Sequence, residues 1–533
     1  MLLELIAITL AGWIVCAEPG AICGAWDGSN IDTFRNESLF AACIGHCLMH
    51  INRCCPGLRH SRGDVTSRAR NMVVSIPVSE DLLRRYDVAG PRYTSYPTAD
   101  RFVEAFGETD YLQALAQRFG AGGRVRPISL YIHIPFCESL CYYCACNKII
   151  TKHHDRAVEY LRYLEKEIDL HIARIGRGQP VGQLHLGGGS PTFLTDAQLG
   201  GLMHLLHANF RFTKGAEISI EVDPRTVDAG RIAAIAAMGF NRLSFGVQDF
   251  DPQVQKAVHR VQDTAQVFGL VAAARAQGMQ SVNVDLMYGL PQQSPQSLDR
   301  TLDQLARLRP DRIALYAYAH LPTRFKPQRR IDAMQLPGAA DKVTMLSRAL
   351  AALSAAGYVY VGMDHFALAE DALAVAKRQG RLHRNFQGYS TQPDCDLIAL
   401  GVSSIGCVGA VYSQNAKTLD AYYDLLNHDH LPVVRGLALS RDDILRRSVI
   451  MALMCQGAVH FESVSTAHLV DFARYFAPEL QALEALQSQG LVEVDAAGIQ
   501  VTAMGWYFVR AIAMVFDRHL QADVHRNRFS KIL

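Results

Sequence analysis

From Ile128 onward, short apolar runs alternate with longer stretches in which apolar residues recur at helical spacing. Residues 129–134, 183–186, 217–222, 242–247, 281–287 and 312–318 read as strands. Each precedes a segment of helical period, such as Val158, Leu161, Leu164 and Ile168, or Ile232, Ala233, Ile235 and Ala236. Repeated βα units of this kind predict a parallel sheet. Six units make a partial (β/α)6 TIM-like barrel rather than a closed one of eight strands. The working face of such a fold is the rim at the carboxyl ends of the strands.

The flanks read differently. Residues 79–86 have a helical pattern, and residues 90–98 (GPRYTSYPT) carry two prolines that exclude a long helix and favour an extended arm. A helix at 110–119 and a glycine-rich break at 120–123 follow. Past residue 340 the pattern turns to helices and loops. Helices at 441–454, 470–475 and 480–489 then precede two short strands, 490–494 and 498–501, the order of a small winged-helix-like module. The chain therefore divides into an extension (1–71), an N-terminal arm (72–127), a barrel (128–370) and a mostly helical C-terminal region (371–533). Residues 2–16 resemble the apolar core of a signal peptide only poorly. No positive charge precedes them, Glu4 interrupts them, and they fall short of the roughly 18–20 residues that span a bilayer. Regular pattern starts just after Met72, which reads as the initiator, with 1–71 disordered or a mis-assigned start. A secreted or anchored form is the rival reading.

The rim rule can be checked against polar residues, which should gather where strands end. The first strand runs into a cysteine loop and the second into Gly187-Gly188-Gly189-Ser190-Pro191-Thr192. The third ends at Glu221-Val222-Asp223-Pro224 and the fourth at Gln248-Asp249. The fifth contains Asp285, and the sixth ends near Ala319-His320.

Composition narrows the partners. With 533 residues and 49% hydrophobic content the chain can bury large cores. Its 53 basic and 51 acidic side chains nearly cancel, so no overall field favours nucleic acid or an anionic membrane, and any anionic ligand must be held locally. Of 13 cysteines, six precede residue 72, and Cys395, Cys407 and Cys455 sit in apolar surroundings as small buried thiols. No disulfide framework is indicated past residue 72.

The remaining four fall in residues 131–148 (YIHIPFCESLCYYCACNK). Cys137, Cys141 and Cys144 have the spacing C-x-x-x-C-x-x-C. That is compact enough for one loop to wrap three thiolates around an iron–sulfur cluster and leave one iron open. A zinc site would draw ligand pairs from two knuckles, and no second knuckle is present. Cys146 is ambiguous. Gly187-Gly188-Gly189 suits close backbone approach to a ligand or simply a tight turn. Glu221, Gln248, Arg260 and Asp285 could bind ribose hydroxyls or a carboxylate, or be solvated strand ends.

The strand and cysteine loop, followed by Cys146-Asn147-Lys148, resemble the radical S-adenosylmethionine (SAM) enzymes, and specifically the oxygen-independent coproporphyrinogen III oxidases. Residues 90–98, 187–192, 283–291 (NVDLMYGLP), 318–323 (YAHLPT), 362–366 (GMDHF) and 383–389 (HRNFQGY) are similar to segments of that family. The likeness runs from about residue 73 to the carboxyl terminus. It implies that Cys137, Cys141 and Cys144 bind three irons of a 4Fe-4S cluster and that one SAM binds the fourth. It also implies two SAM sites: Tyr131, Gly188, Glu221 and Ile405 line the first, and Tyr143, Gly189, Ser190, Gln248, Arg260, Asp285 and Ala319 the second. Cys146 and Gln387 receive no settled role. Two departures stand out. Tyr143 occupies a position that is often phenylalanine, and Gly189-Ser190-Pro191-Thr192 replaces Gly-Thr-Pro-Thr.

The resemblance implies reductive cleavage of SAM and hydrogen abstraction from propionate side chains of coproporphyrinogen III. Two propionates become vinyls and the product is protoporphyrinogen IX. It also implies an electron donor and an electron acceptor, a cytoplasmic monomer, and no nucleic-acid or membrane partner. Four carboxylates on the substrate call for a basic pocket, with Arg92, Arg384 and the Arg329-Arg330 pair as candidates. The nearest rival is a haem-binding chaperone of the same superfamily. Such relatives lack the equivalent of Cys146 and the Asn-Lys after it, so Cys146-Asn147-Lys148 favours the oxidase. A regulatory iron–sulfur protein would not need Gly188, Glu221, Gln248 and Asp285 together.

Overall fold

Six parallel strands form the centre of one sheet: β1 (Ile128–Ile134), β2 (Gln179–Gly188), β3 (Phe210–Val222), β4 (Arg242–Gln248), β5 (Ser281–Tyr288) and β6 (Arg312–Ala317). They pair in chain order, each parallel to the next. The main connecting helices are α1 (Asp155–Ile175), α2 (Asp196–Asn209), α3 (Ala229–Ala237), α4 (Thr264–Ala276) and α5 (Pro295–Leu308), with a short helix, Pro252–Ala257, ahead of α4. These are features of a computed structural model that describes residues 79–120, 126–392 and 395–521. The extension at 1–71 and the choice of Met72 lie outside the described residues.

The period of two decides which side chains reach the site. In β4, Leu243, Phe245 and Val247 are buried while Ser244, Gly246 and Gln248 alternate with them on the other face. In β5, Val282, Val284 and Leu286 alternate in the same way with Asn283, Asp285 and Met287. Helix α5 shows why the connections are helical. Ser294 caps it by accepting from the Ser297 N–H, Pro295 suits the first turn, and Leu298, Leu302 and Leu305 bury one face.

The barrel is open, because β1 and β6 do not pair. The far neighbour of β1 is β9 (Leu397–Leu400), parallel to it, followed by antiparallel β10 (Ile405–Val408), β11 (Val411–Asn415) and β12 (Val433–Ala438). On the other side, β8 (His365–Leu368) runs antiparallel to β6 and to β7 (Tyr358–Gly362). The sheet thus has 12 strands and crosses the boundary placed at residue 370. The reading of helices and loops past residue 340 missed these strands. They are short, and β9 is buried at all four positions, so no alternation marks it.

In the C-terminal region, helix α6 (Arg441–Gln456) precedes an antiparallel sheet of β13 (Ala458–His460), β14 (Val492–Val494) and β15 (Gly498–Val501), with β15 central. The sheet has three strands where two were anticipated, because β13 is three residues squeezed between the helix cap Gly457 and the next helix. The arm at 90–98 is pinned here. Tyr93 donates to Asp517 across 2.9 Å, Arg510 donates to the Pro91 carbonyl at 2.6 Å, and Tyr93 and Tyr96 are fully buried. Among the described residues, no helix is long and apolar enough to cross a membrane.

Candidate active site

The cysteine loop leaves β1 and returns through a two-residue pairing, Phe136–Cys137 beside Ile149–Ile150. Backbone bonds from Gly189 N to the Ile134 carbonyl and from Ser190 N to the Phe136 carbonyl, both 2.8 Å, tie its base to the glycine run at the end of β2. A Cβ on Gly189 would stand 2.7 Å from the Pro135 carbonyl, so only glycine allows this brace. The loop's far side is held by Tyr142 N to the Val258 carbonyl (3.0 Å) and His259 Nδ1 to the Leu140 carbonyl (2.8 Å).

Cys141 is buried, Cys137 and Cys144 are half-buried, and Cys146 is exposed. Among the described residues, no three His, Cys, Asp or Glu side chains already stand at the spacing of a single metal ion. The donor chemistry fits an iron–sulfur cluster. Two guanidinium groups aim at Cys141 Sγ, Arg260 from 3.3 Å and Arg225 from 3.6 Å, as donors do that stabilise a ligating thiolate. Asp223 holds both arginines, at 2.7 Å from Arg225 and 3.3 Å from Arg260. Burial works to raise the Asp223 carboxyl, but the two arginines outweigh it and hold the group below the usual carboxylate range. Burial pushes the Cys137 thiol up to about 12. The hydrogen bond from Cys146 draws Cys144 down.

Beside the loop opens a cleft of about 940 Å³, counting space open to solvent, large enough for a cofactor. Its walls bring together Cys137, Cys141, Cys144, Cys146, Tyr143, Gly188, Gly189, Ser190, Glu221, Gln248, Arg260 and Asp285. Glu221 accepts from the Gly188 N–H at 3.2 Å and contacts His185 Nε2 at 3.3 Å, while 43% of its side chain stays open. Burial opposes its charge, yet His185 and the Gly188 N–H keep its pKa below the ordinary value. Asp285 is pushed up to about 6 by burial and by nearby Glu221, although Asn283 (2.8 Å) and Ser244 (3.2 Å) donate to it. Gln248 has φ of 68°, a left-handed backbone uncommon outside glycine, at a register shift in β4.

Three anticipated residues do not line this cleft. The Tyr131 ring stacks on His185 at 5.9 Å from the register position beside it, one strand further from Glu221. Ala319 lies half-buried just past β6, and Ile405 begins β10, with β9 between it and β1. Gln387 sits in the turn joining His383–Asn385 to Gly388–Ser390, with both side-chain polar atoms buried and without hydrogen-bond partners. Sequence reasoning missed Arg225, His185, Ser244 and Tyr316. His185 and Ser244 were findable, since each occupies the lumen-facing parity of a strand already recognised.

The Asn147-Lys148 pair has an evident local role. His133 Nε2 bonds the Asn147 carbonyl at 3.0 Å, which accepts only. Nε2 therefore carries the proton, and Nδ1 accepts from Tyr131 OH at 3.1 Å. Asn147 Nδ2 donates to the Lys417 carbonyl (3.0 Å), and Lys148 Nζ donates to the Cys144 carbonyl (3.3 Å).

Comparison with known proteins agrees with this geometry. A profile of the Radical SAM superfamily matches residues 131–305, and one of the HemN C-terminal domain matches 439–508. An oxygen-independent coproporphyrinogen III oxidase of Pseudomonas aeruginosa is 48% identical over 464 residues, 87% of this chain and 100% of the relative. One from Escherichia coli is 48% identical over 452 residues, 85% of this chain and 98% of the relative. A solved structure described as coproporphyrinogen III oxidase (HemN) from Escherichia coli, a radical SAM enzyme, superposes with a TM-score of 0.79 at 48% identity, covering 84% of this chain and 100% of that one.

Proposed function

The chain belongs to the oxygen-independent coproporphyrinogen III oxidases of the radical SAM superfamily, and on that footing we propose how its rim divides the work. The reaction is the oxidative decarboxylation, without oxygen, of two propionates of coproporphyrinogen III to vinyls, giving protoporphyrinogen IX in haem biosynthesis. Cys137, Cys141 and Cys144 hold the 4Fe-4S cluster. When bound, the cluster and SAM supply the radical chemistry that begins with one-electron cleavage of a carbon–sulfur bond.

Every other task falls to this chain. Arg260 and Arg225 fix Cys141 by donating to its sulfur. Glu221 is kept ionised by His185 and Gly188 and accepts from the ribose hydroxyls of a first SAM, with Gly188 on the same wall and Tyr131 and Ile405 serving that site from outside the cleft's present walls. Tyr143, Gly189, Ser190, Gln248, Arg260, Asp285 and Ala319 serve a second SAM. The support for two sites is that Glu221 and Asp285 open onto one cleft from separate strands, β3 and β5. The arm at 90–98 and the C-terminal region shut water from the rim. The enzyme works as a monomer in the cytoplasm with one electron donor and one acceptor, and takes no nucleic acid or membrane partner.

The observation that carries this reading is the cysteine loop braced over a cleft where Glu221, Gln248, Arg260 and Asp285 meet. Anaerobic reconstitution followed by reductant, SAM and coproporphyrinogen III should give vinyl product together with 5′-deoxyadenosine. Stable porphyrin binding with no decarboxylation would overturn it. Calorimetric titration with SAM should saturate at two equivalents, and saturation at one would remove the second site.

A further inference from the structure

Tyr316 of β6 lines the cleft, and packed against it is a group of arginines that the roles above do not use. The Arg92 guanidinium stands 5.1 Å from the Tyr316 ring centre and is paired with Asp364. His365 meets the same ring edge-on at 5.8 Å and meets Tyr389 likewise at 5.6 Å. Arg384 lies over Tyr389, 4.6 Å from the ring centre, and donates to the Arg92 carbonyl at 3.3 Å. Arg510 donates to the Pro91 carbonyl. It is pulled down to about 9 by burial, by Arg92 and by Arg384, so the three cations are close enough to oppose one another.

Arg384 is the anomaly. It is only 8% exposed, yet its Nε and Nη1 have no hydrogen-bond partner, and no carboxylate among the described residues forms an ion pair with it. Three residues on, Gln387 buries both Oε1 and Nε2 without partners. A buried unpaired donor costs about 1–3 kcal/mol, and an uncompensated buried charge costs several. Cross-strand pairing with Tyr389, whose hydroxyl is tied to the Met454 carbonyl at 2.8 Å, accounts for where Arg384 sits. It does not account for the missing acceptor. Asp364 is engaged by Arg92, and Asp285 is held by Asn283 and Ser244.

We infer that Arg384, with Arg92, forms a subsite for a carboxylate of the substrate. The inference rests on the coproporphyrinogen reading. A carboxylate gripped by a guanidinium keeps its charge, whereas the reacting propionate must give up its carboxylate as carbon dioxide. The subsite therefore seats a propionate that the product retains, and its binding energy orients the tetrapyrrole from a distance. The orphan nitrogens are closed to solvent, so the subsite opens by rotation of the Arg384 side chain off the Tyr389 ring.

The test uses reconstituted enzyme, wild type, R384Q and R384K, titrated separately with coproporphyrin III (the stable oxidised relative of the substrate) and with SAM. R384Q should weaken coproporphyrin binding about tenfold or more and leave SAM affinity unchanged. R384K keeps a cation above Tyr389 and preserves the hairpin should R384Q unfold, and it should show a smaller loss of the same sign. In turnover the loss should appear in KM more than in kcat. Unchanged porphyrin affinity in both variants overturns the inference, and so does a loss confined to SAM. A wild-type enzyme that binds coproporphyrin through Arg384 but forms no vinyl product retires the oxidase reading and keeps the subsite.

Discussion

Arg260 donates to Cys141 Sγ across 3.3 Å while its other edge grips the Gly246 carbonyl at 2.6 and 3.0 Å, so one side chain joins the cysteine loop to β4. A donor to a ligating sulfur stabilises the more reduced cluster. R260K should lower the cluster's midpoint potential by on the order of tens of millivolts, read by redox titration with electron paramagnetic resonance. An unchanged potential at full iron content would sink the role given to this bond.

Cys146 is exposed while its neighbours line the braced loop. C137S, C141S and C144S should each lose most bound iron after reconstitution, whereas C146S should retain it. Iron content and the visible absorption of the cluster decide between them. Iron loss in C146S would make it a ligand.

Asp285, lifted to about 6 by burial and by Glu221, loses its charge as pH falls through that value. If it grips SAM as the anion, affinity at pH 5 should be about tenfold weaker than at pH 8. D285N should bind weakly at both. A wild-type affinity flat from pH 5 to 8 would exclude the ionised form from binding.

Gly188 has φ of 112°, and a Cβ there would lie 2.5 Å from the His133 ring. G188A should destabilise the protein by at least about 2 kcal/mol, because left-handed strain and the clash add. Denaturant unfolding checks this, and a loss below 0.5 kcal/mol, the ordinary scatter of surface changes, would show that the loop relaxes freely.

Glu167 of α1 accepts from Gly401 N (2.7 Å), Tyr422 OH (2.6 Å) and Asn415 Nδ2 (2.7 Å), tying the helix to the turn after β9. Burial nonetheless raises it to about 7 from 4.5. A raised carboxyl binds its proton more tightly when folded, so its contribution is fully present below pH 4.5 and is lost as pH rises through 7. Relative to E167Q, wild type should lose on the order of 3 kcal/mol of stability between pH 4.5 and 8. A pH-independent difference would contradict the shift.

The six barrel strands were legible because short apolar or alternating stretches recur ahead of segments with helical spacing, and Gln248 and Asp285 could be read as polar residues at the end of one such strand and within another. The strands β9 to β12 are only four to six residues long, and no segment of helical spacing follows β9 or β10 to mark them as βα units. They exist because the open edge of β1 needs a hydrogen-bonding neighbour, a demand that belongs to the sheet and not to residues 397–438. Asp223 was visible as a strand end, but Arg225's aim at Cys141 was not, since it depends on a loop 84 residues earlier.

By itself, the sequence determined the βα order, the rim and the spacing of the three-cysteine loop, since these follow from local periodicity and from spacing within one segment. Only the tertiary structure decided which charges meet. It set Arg260 and Arg225 on one sulfur, stacked Tyr131 on His185, and left Arg384 buried without a counter-ion. Those relations arise between side chains tens to hundreds of residues apart, where burial and distance set the energy of a charge and sequence spacing says nothing about either.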